Sequence, residues 1–112
     1  YNLDISFKSG FDVSDIRKEF KTIEKESYDA VFCSNDYIAR FLMNAVEENS
    51  VSMKIAGYNG SSVAYGWMPQ IASVNSNLGL AGKWAFEYLA GRRSFEENIV
   101  SVKPFLMRGS MF

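Results

Sequence analysis

Ala30-Val31-Phe32-Cys33-Ser34-Asn35-Asp36 is the stretch that decides the fold. Its first four residues are small or apolar and read as a short buried strand. Ser34, Asn35 and Asp36 stop that strand and offer a cap for a helix starting near Tyr37. A strand that runs into a helix through a polar corner is the repeating unit of a parallel α/β sheet. Ligands in such sheets sit in the crevice outside the carboxyl ends of the strands. Asn35 and Asp36 therefore have two readings, helix cap and ligand contact. Local capping accounts best for Asp36, whereas Asn35, one residue further from the helix, fits both.

The same alternation extends outward in both directions. Leu3, Ile5 and Phe7 alternate with Asn2, Asp4 and Ser6, the period of a strand with one buried face near a sheet edge. Ser9-Gly10 ends it, and Asp12 or Ser14 can cap a helix. Ile16, Phe20 and Ile23 then recur at helical spacing opposite Arg17, Lys18, Glu19, Lys21 and Glu24, and the helix closes around Glu26 or Ser27. Beyond the corner, the pattern predicts a helix over 37–48 with Ile38, Leu42 and Ala45 or Val46 as its apolar stripe. A strand over 53–58 follows, closed by Asn59-Gly60. Residues 61–68 read as a short helix or loop. A brief strand over 71–74 turns at Asn75 to Asn77 into a long helix over 78–90, which Gly91-Arg92-Arg93 ends. A last strand is expected over 99–107, with Pro104 pointing to an edge position or a bulge. Alternation of this kind implies crossover connections and the α/β class, a mainly parallel sheet with flanking helices.

Composition narrows the function. The 112 residues are 47% apolar and 22% charged, which suits one globular domain. A net charge of −1, with Lys and Arg scattered, speaks against a chain whose main work is nucleic-acid binding. Cys33 is the only cysteine, so no intramolecular disulfide can form, which leans towards a reducing compartment. It reads as a small core residue without an activating neighbour. The absence of histidine removes Ser-His-Asp and Cys-His catalysis and the commonest metal ligand. Gly57, Gly60 and Gly66 form neither a phosphate loop nor a dinucleotide fingerprint. The reading is a non-enzyme with no metal and no cofactor. No apolar run approaches the length of a membrane span. The chain opens on Tyr1-Asn2-Leu3 without a methionine, so a fragment with sequence lost upstream is expected.

Four polar corners follow the expected strands: Ser9-Gly10-Phe11, Asn35-Asp36, Asn59-Gly60-Ser61 and Asn75-Ser76-Asn77. In a parallel sheet they open on one edge. Amides and hydroxyls both donate and accept, and an aromatic ring can cover the apolar face of a sugar. The edge therefore suits a neutral, polyhydroxylated ligand better than a phosphate or a metal. The bland alternative is that Asn and Asp serve only as caps and turns, and that Phe11 packs over Ile16. Tyr65, Trp67 and Met68 are either core cover or a partner surface, and their clustering leans towards an interface.

Tyr28-Asp29-Ala30-Val31-Phe32-Cys33-Ser34-Asn35-Asp36 resembles the strand and corner of LacI-type transcription regulators, where Asn-Asp follows an apolar strand. Ile55-Ala56-Gly57-Tyr58-Asn59 resembles their V-G-F/Y-D strand, and Ile71-Ala72-Ser73-Val74 their L-T-T-V. Leu78-Gly79, with Gly82, Phe86, Leu89 and Gly91, looks like their L-G-x-x-A-x-x-x-L helix. Phe105-Leu106-Met107-Arg108-Gly109-Ser110 looks like the closing L-v-x-R-x-S. Order and spacing match throughout. The resemblance covers nearly all of the chain from Tyr28 onward, and 1–27 more loosely.

The resemblance implies one lobe of a periplasmic-binding-protein-like (type I) fold, part of an effector-binding and dimerisation domain. Residues 1–76 and 98–112 would form the second lobe. Residues 77–97 would be a crossover helix packing on a missing first lobe. Its face of Ala81, Ala85, Phe86 and Leu89 is then expected to be covered by another chain or a neighbouring molecule, and a monomer with that face solvated would count against this. Asn35 matches the family's effector-contacting Asn. Asn59 stands where the family has an effector-binding Asp, exchanging a charged acceptor for an amide. Phe11 approximates a stacking aromatic, and Ser76 a polar contact after L-T-T-V. The family's Arg ligand would lie upstream of Tyr1. Phe41, Met43, Tyr65 and Trp67 become candidates for a homodimer interface. The function implied is a cytoplasmic sensor of a small neutral effector, with a sugar as first expectation, that alters DNA binding by a missing N-terminal helix-turn-helix. An extracytoplasmic sugar-binding protein of a transporter shares the fold and is the alternative.

Overall fold

Strand and helix alternate through most of the chain, and the connections set the sheet. The structure is a computed structural model and describes residues 13–110. In chain order the elements are α1 (Val13–Lys25), β1 (Ala30–Phe32), α2 (Asp36–Glu48), β2 (Lys54–Tyr58), α3 (Ser62–Tyr65), β3 (Ala72–Asn75), α4 (Leu78–Leu89) and β4 (Phe105–Met107). The described strands form one sheet in the order β1-β2-β3-β4. β1, β2 and β3 run parallel, and β4 closes antiparallel on β3 with Ser73 opposite Met107. The expected strand and corner at 2–11 lie outside the described residues.

The core sits under α2. Ala39, Leu42, Met43 and Val46 recur at helical spacing and are buried together with Phe20, Cys33, Met53, Ile55, Ala64 and Ile71. Leu42, Ala45 and Val46 of the expected stripe thus lie in the core and Ile38 packs half-buried at its margin, while Ala39 and Met43 widen the stripe on one side. Gly57 explains the phase. A methyl group added there would run into Asp36 and the side chain of Ala39, so α2 rests directly on the backbone of β2.

Three expectations are corrected. Met43, proposed for a dimer interface, has 0% of its surface exposed, because the helical phase turns it into the core. β1 is not a buried strand. Ala30 is exposed and Phe32 is 62% exposed, because among the described residues β1 has a neighbour on one side only. The last strand is three residues long, not nine, and begins directly after Pro104. Ser110 anchors its far end, donating its N–H to Gln70 O (2.8 Å) while its Oγ accepts the Gln70 N–H (3.0 Å).

α4 has no buried residue. Ala81 is half-buried, and Ala85, Phe86 and Leu89 are exposed. The expectation that another chain covers this face finds no support in the single chain. The segment after α4 folds back on it: Arg93 Nε donates to Glu87 Oε2 (2.7 Å), its guanidinium lies 5.1 Å from the Trp84 ring centre, and Phe95 stacks on Tyr88.

The placement of Met43 is tested by urea unfolding. Met43→Ala should cost about 2–5 kcal/mol, whereas the same truncation at Met68, 77% exposed, should stay within about 0.5 kcal/mol. Equal costs at the two sites would contradict this phase of α2.

Candidate functional site

The corners after β1 and β2 and the Ser73 side chain of β3 meet at Asp36. Its side chain is 1% exposed. Oδ2 accepts the Ser61 N–H at 2.6 Å, and Oδ1 accepts the Ser73 hydroxyl at 2.5 Å. Ser73 Oγ in turn accepts the Gly60 N–H at 3.0 Å. A carboxylate withdrawn from water needs such donors in place of its hydration. Asp36 also occupies the first position of α2, where the helix dipole favours negative charge. The two oxygens are thus spent on the fold, and no surface remains for a ligand.

The cap expected at Asp36 falls one residue earlier. The N-cap of α2 is Asn35, not Asp36: Asn35 Oδ1 accepts the Ile38 N–H at 2.9 Å from an extended backbone. Capping uses only the oxygen. The Asn35 amide nitrogen makes no hydrogen bond among the described residues, and the residue is half-buried at the corner.

The next corner turns through Asn59 at φ 106° and Gly60 at φ 63°. The left-handed region suits Asn and Gly. The Asn59 N–H donates to Val74 O (2.9 Å), tying the corner to β3, and its side chain is exposed. At the third corner, Asn75 Oδ1 accepts the Asn77 N–H at 2.7 Å, and Asn77 Nδ2 donates to Lys103 O at 3.3 Å. Two buried hydroxyls stand out: Ser61 Oγ and Ser76 Oγ make no hydrogen bond among the described residues. Buried polar groups in folded chains are almost always paired, so both mark positions where a polar group is wanted. Ser61 lies beyond the carboxyl end of β2 and Ser76 beyond that of β3, which pair in parallel. Phe11 lies outside the described residues.

The structure thus brings Asn35, Asn59 and Ser76 to one edge and adds Ser61, which the sequence reading placed in the corner without singling it out. Of the interface candidates, Phe41 (42% exposed), Tyr65 (49%) and Trp67 (68%) are accessible. Arg40 was missed altogether. It donates to the carbonyls of Val63 (3.0 Å), Trp67 (3.2 Å) and Pro69 (2.9 Å), and so fixes the segment that carries Tyr65 and Trp67. Cys33 is buried, and burial pushes its thiol up to about 11. Among the described residues no group of His, Cys, Asp and Glu could hold a metal ion, and no helix is long and apolar enough to cross a membrane.

Neither a protein-family model nor a curated protein matches this sequence. Solved structures do. The transcription regulator CcpA of Lactococcus lactis aligns at TM-score 0.73 and 14% identity over 97% of this chain and 43% of its own. A LacI-family regulator from Arthrobacter sp. FB24, in complex with lactose, aligns at TM-score 0.71 and 16% identity over 88% of this chain and 42% of its own. The lac repressor dimer bound to operator and an anti-inducer aligns at TM-score 0.68 and 14% identity, covering 88% and 37%. The chain therefore has the periplasmic-binding-protein-like α/β fold of these LacI-type regulators, and spans about two fifths of their length.

Three outcomes follow from this geometry. Ser73→Ala removes a donor to Asp36 and the acceptor of the Gly60 N–H, and should destabilise the fold by about 1–3 kcal/mol in urea unfolding. Cys33 should resist alkylation. With its pKa near 11 instead of 9.0, its thiolate is about 100-fold scarcer at pH 8, and iodoacetamide labelling of the native chain should be slower by at least that factor than in urea. The native state keeps this proton where the unfolded chain releases it, so stability should fall as pH rises from about 9 towards 11. Rapid native labelling at pH 8 would contradict the burial.

Proposed function

We propose that this chain is part of the effector-sensing domain of a LacI-type transcriptional regulator, and that its sheet edge binds a small neutral effector, a sugar by preference. The observation that carries the reading is the chemistry of the edge. Among the described residues the carboxylate at this edge is sealed, and the groups left at the corners are uncharged: Asn35 Nδ2, the Asn59 amide and the hydroxyls of Ser61 and Ser76. Such a set matches alcohols that donate and accept at once, and suits a neutral ligand better than a phosphate. The complex of a like-folded regulator with lactose supports the same ligand class.

On this reading, residues 1–76 and 98–112 belong to one lobe, and 77–97 reaches to a first lobe encoded upstream. The protein works in the cytoplasm as a homodimer joined partly through Phe41, Tyr65 and Trp67. It touches DNA only through a separate N-terminal domain and performs no catalysis. A ligand that binds the closed pair of lobes more tightly than the open one shifts the regulator between two states.

Calorimetry on the full-length protein with lactose, cellobiose and their monosaccharides tests this. Asn35→Ser keeps a cap oxygen and loses the amide, so it separates the two roles of Asn35. Affinity should fall at least about tenfold for Asn35→Ser and for Asn59→Ala, with helix content unchanged. Unchanged affinity in both variants would reduce these corners to caps and turns.

A further inference from the structure

α3 has four residues, too few to hold its own shape. α2 holds it at both ends. At its entry, the Ser61 N–H donates to Asp36 Oδ2 (2.6 Å). At its exit, Arg40 donates through Nε and Nη2 to Val63 O (3.3 and 3.0 Å), through Nη2 to Trp67 O (3.2 Å) and through Nη1 to Pro69 O (2.9 Å). Asp36 and Arg40 stand four residues apart, one turn on the same face of α2. The acid thus meets the amino end of α3 and the base its carboxyl end, the arrangement that peptide dipoles favour. No carboxylate lies in ion-pair range of Arg40 among the described residues, so carbonyl oxygens alone receive its charge.

The segment between these grips joins two surfaces. It starts at the Asn59–Ser61 corner and ends at Tyr65, Trp67 and Met68, which are exposed. Further bonds make it one body: the Gly66 N–H donates to Ser62 O (2.7 Å), the Ile71 N–H to Ala64 O (2.8 Å) and Gln70 Nε2 to Tyr65 O (3.1 Å). We propose that Arg40 is a positioning residue that couples the 59–61 corner to the Tyr65–Met68 surface, with α3 shifting as a unit between Asp36 and Arg40. Its regulatory meaning rests on the proposed function, in which the corner meets an effector and the surface meets a second copy. The coupling itself is a property of the chain and needs neither.

Hydrogen exchange followed by mass spectrometry on the full-length protein tests it without a ligand. Ser73→Ala enters at the corner and Arg40→Met at the exit, and each change is read relative to exchange at Leu42 and Met43 in the buried face of α2, which reports any loss of global stability. Ser73→Ala should speed exchange at 66–68 by at least about threefold, Arg40→Met should do the same at 60–61, and the double variant should fall well short of the product of the two. Independent, multiplying effects confined to each end would overturn the proposal. If Arg40→Met fails to fold, Arg40→Lys replaces it: it keeps the charge but cannot span Val63 to Pro69, and should show the same cross-effect at smaller size. Sedimentation of the same variants supplies a separate readout. Association weakened at least about tenfold by Arg40→Met, as by Trp67→Ala, supports the surface. A wild-type protein that stays monomeric sinks the dimer reading while leaving the exchange result to decide the coupling.

Discussion

A carboxylate enclosed by the fold governs everything around it. Removing Asp36 from water costs several kcal/mol unless other donors replace its hydration. The donors are specific: the Ser61 N–H and the Ser73 hydroxyl, with the amino end of α2 behind them. Each demand propagates. Ser73 must carry a hydroxyl, and that hydroxyl must accept from Gly60 to be aligned. Gly57 must lack a side chain, because a methyl group there would occupy the place of Asp36. Ala39 must be small for the same approach of helix to strand. One ionised group thus fixes α2, the turn after β2 and the start of β3 against one another.

The molecule is finished on this side and open on the other. The core under α2 is continuous from Phe20 to Ile71, while α4 buries nothing and β4 leaves Phe105 and Leu106 exposed. Hydrophobic burial drives folding in proportion to area, so a helix with Leu78, Phe86 and Leu89 in water contributes little to this chain's own stability. The local bonds from Arg93 to Glu87 and over Trp84 order the segment after α4 without giving it a core. That division matches a chain that spans about two fifths of the regulators it resembles in fold.

What the sequence disclosed was periodicity. The alternation of helix and strand from α1 to β4, and the gathering of polar corners at one edge, followed from spacing and turn chemistry. What it concealed was set at a distance. Asn35 and Asp36 are both good caps, and local rules cannot order them. The choice is made by Ser73, 37 residues away, which needs a carboxylate partner. Met43 sat on a helix whose phase is fixed by a glycine on β2. Arg40 drew no reading from its spacing, because its partners Val63, Trp67 and Pro69 lie more than twenty residues away. The signal that could have found it is its place one turn after Asp36, beside a segment too short to satisfy its own carbonyls.

Sealing the charge also decides how the proposed site would discriminate. A free carboxylate would attract any cation or donor-rich ligand, with modest regard for shape. Uncharged groups bind more weakly, but Ser61 and Ser76 hold buried hydroxyls without a partner among the described residues. A ligand that fails to pair one of them on lobe closure leaves it stranded, at about 1–3 kcal/mol, or roughly a factor of 5 to 150. Selection would then act on which hydroxyls a sugar carries and where, and the penalty for a wrong one would be felt mainly in the closed state. An edge of this kind trades raw affinity for a larger difference between correct and near-correct ligands. That difference, applied to the closed state alone, is the quantity a two-state regulator needs from its effector.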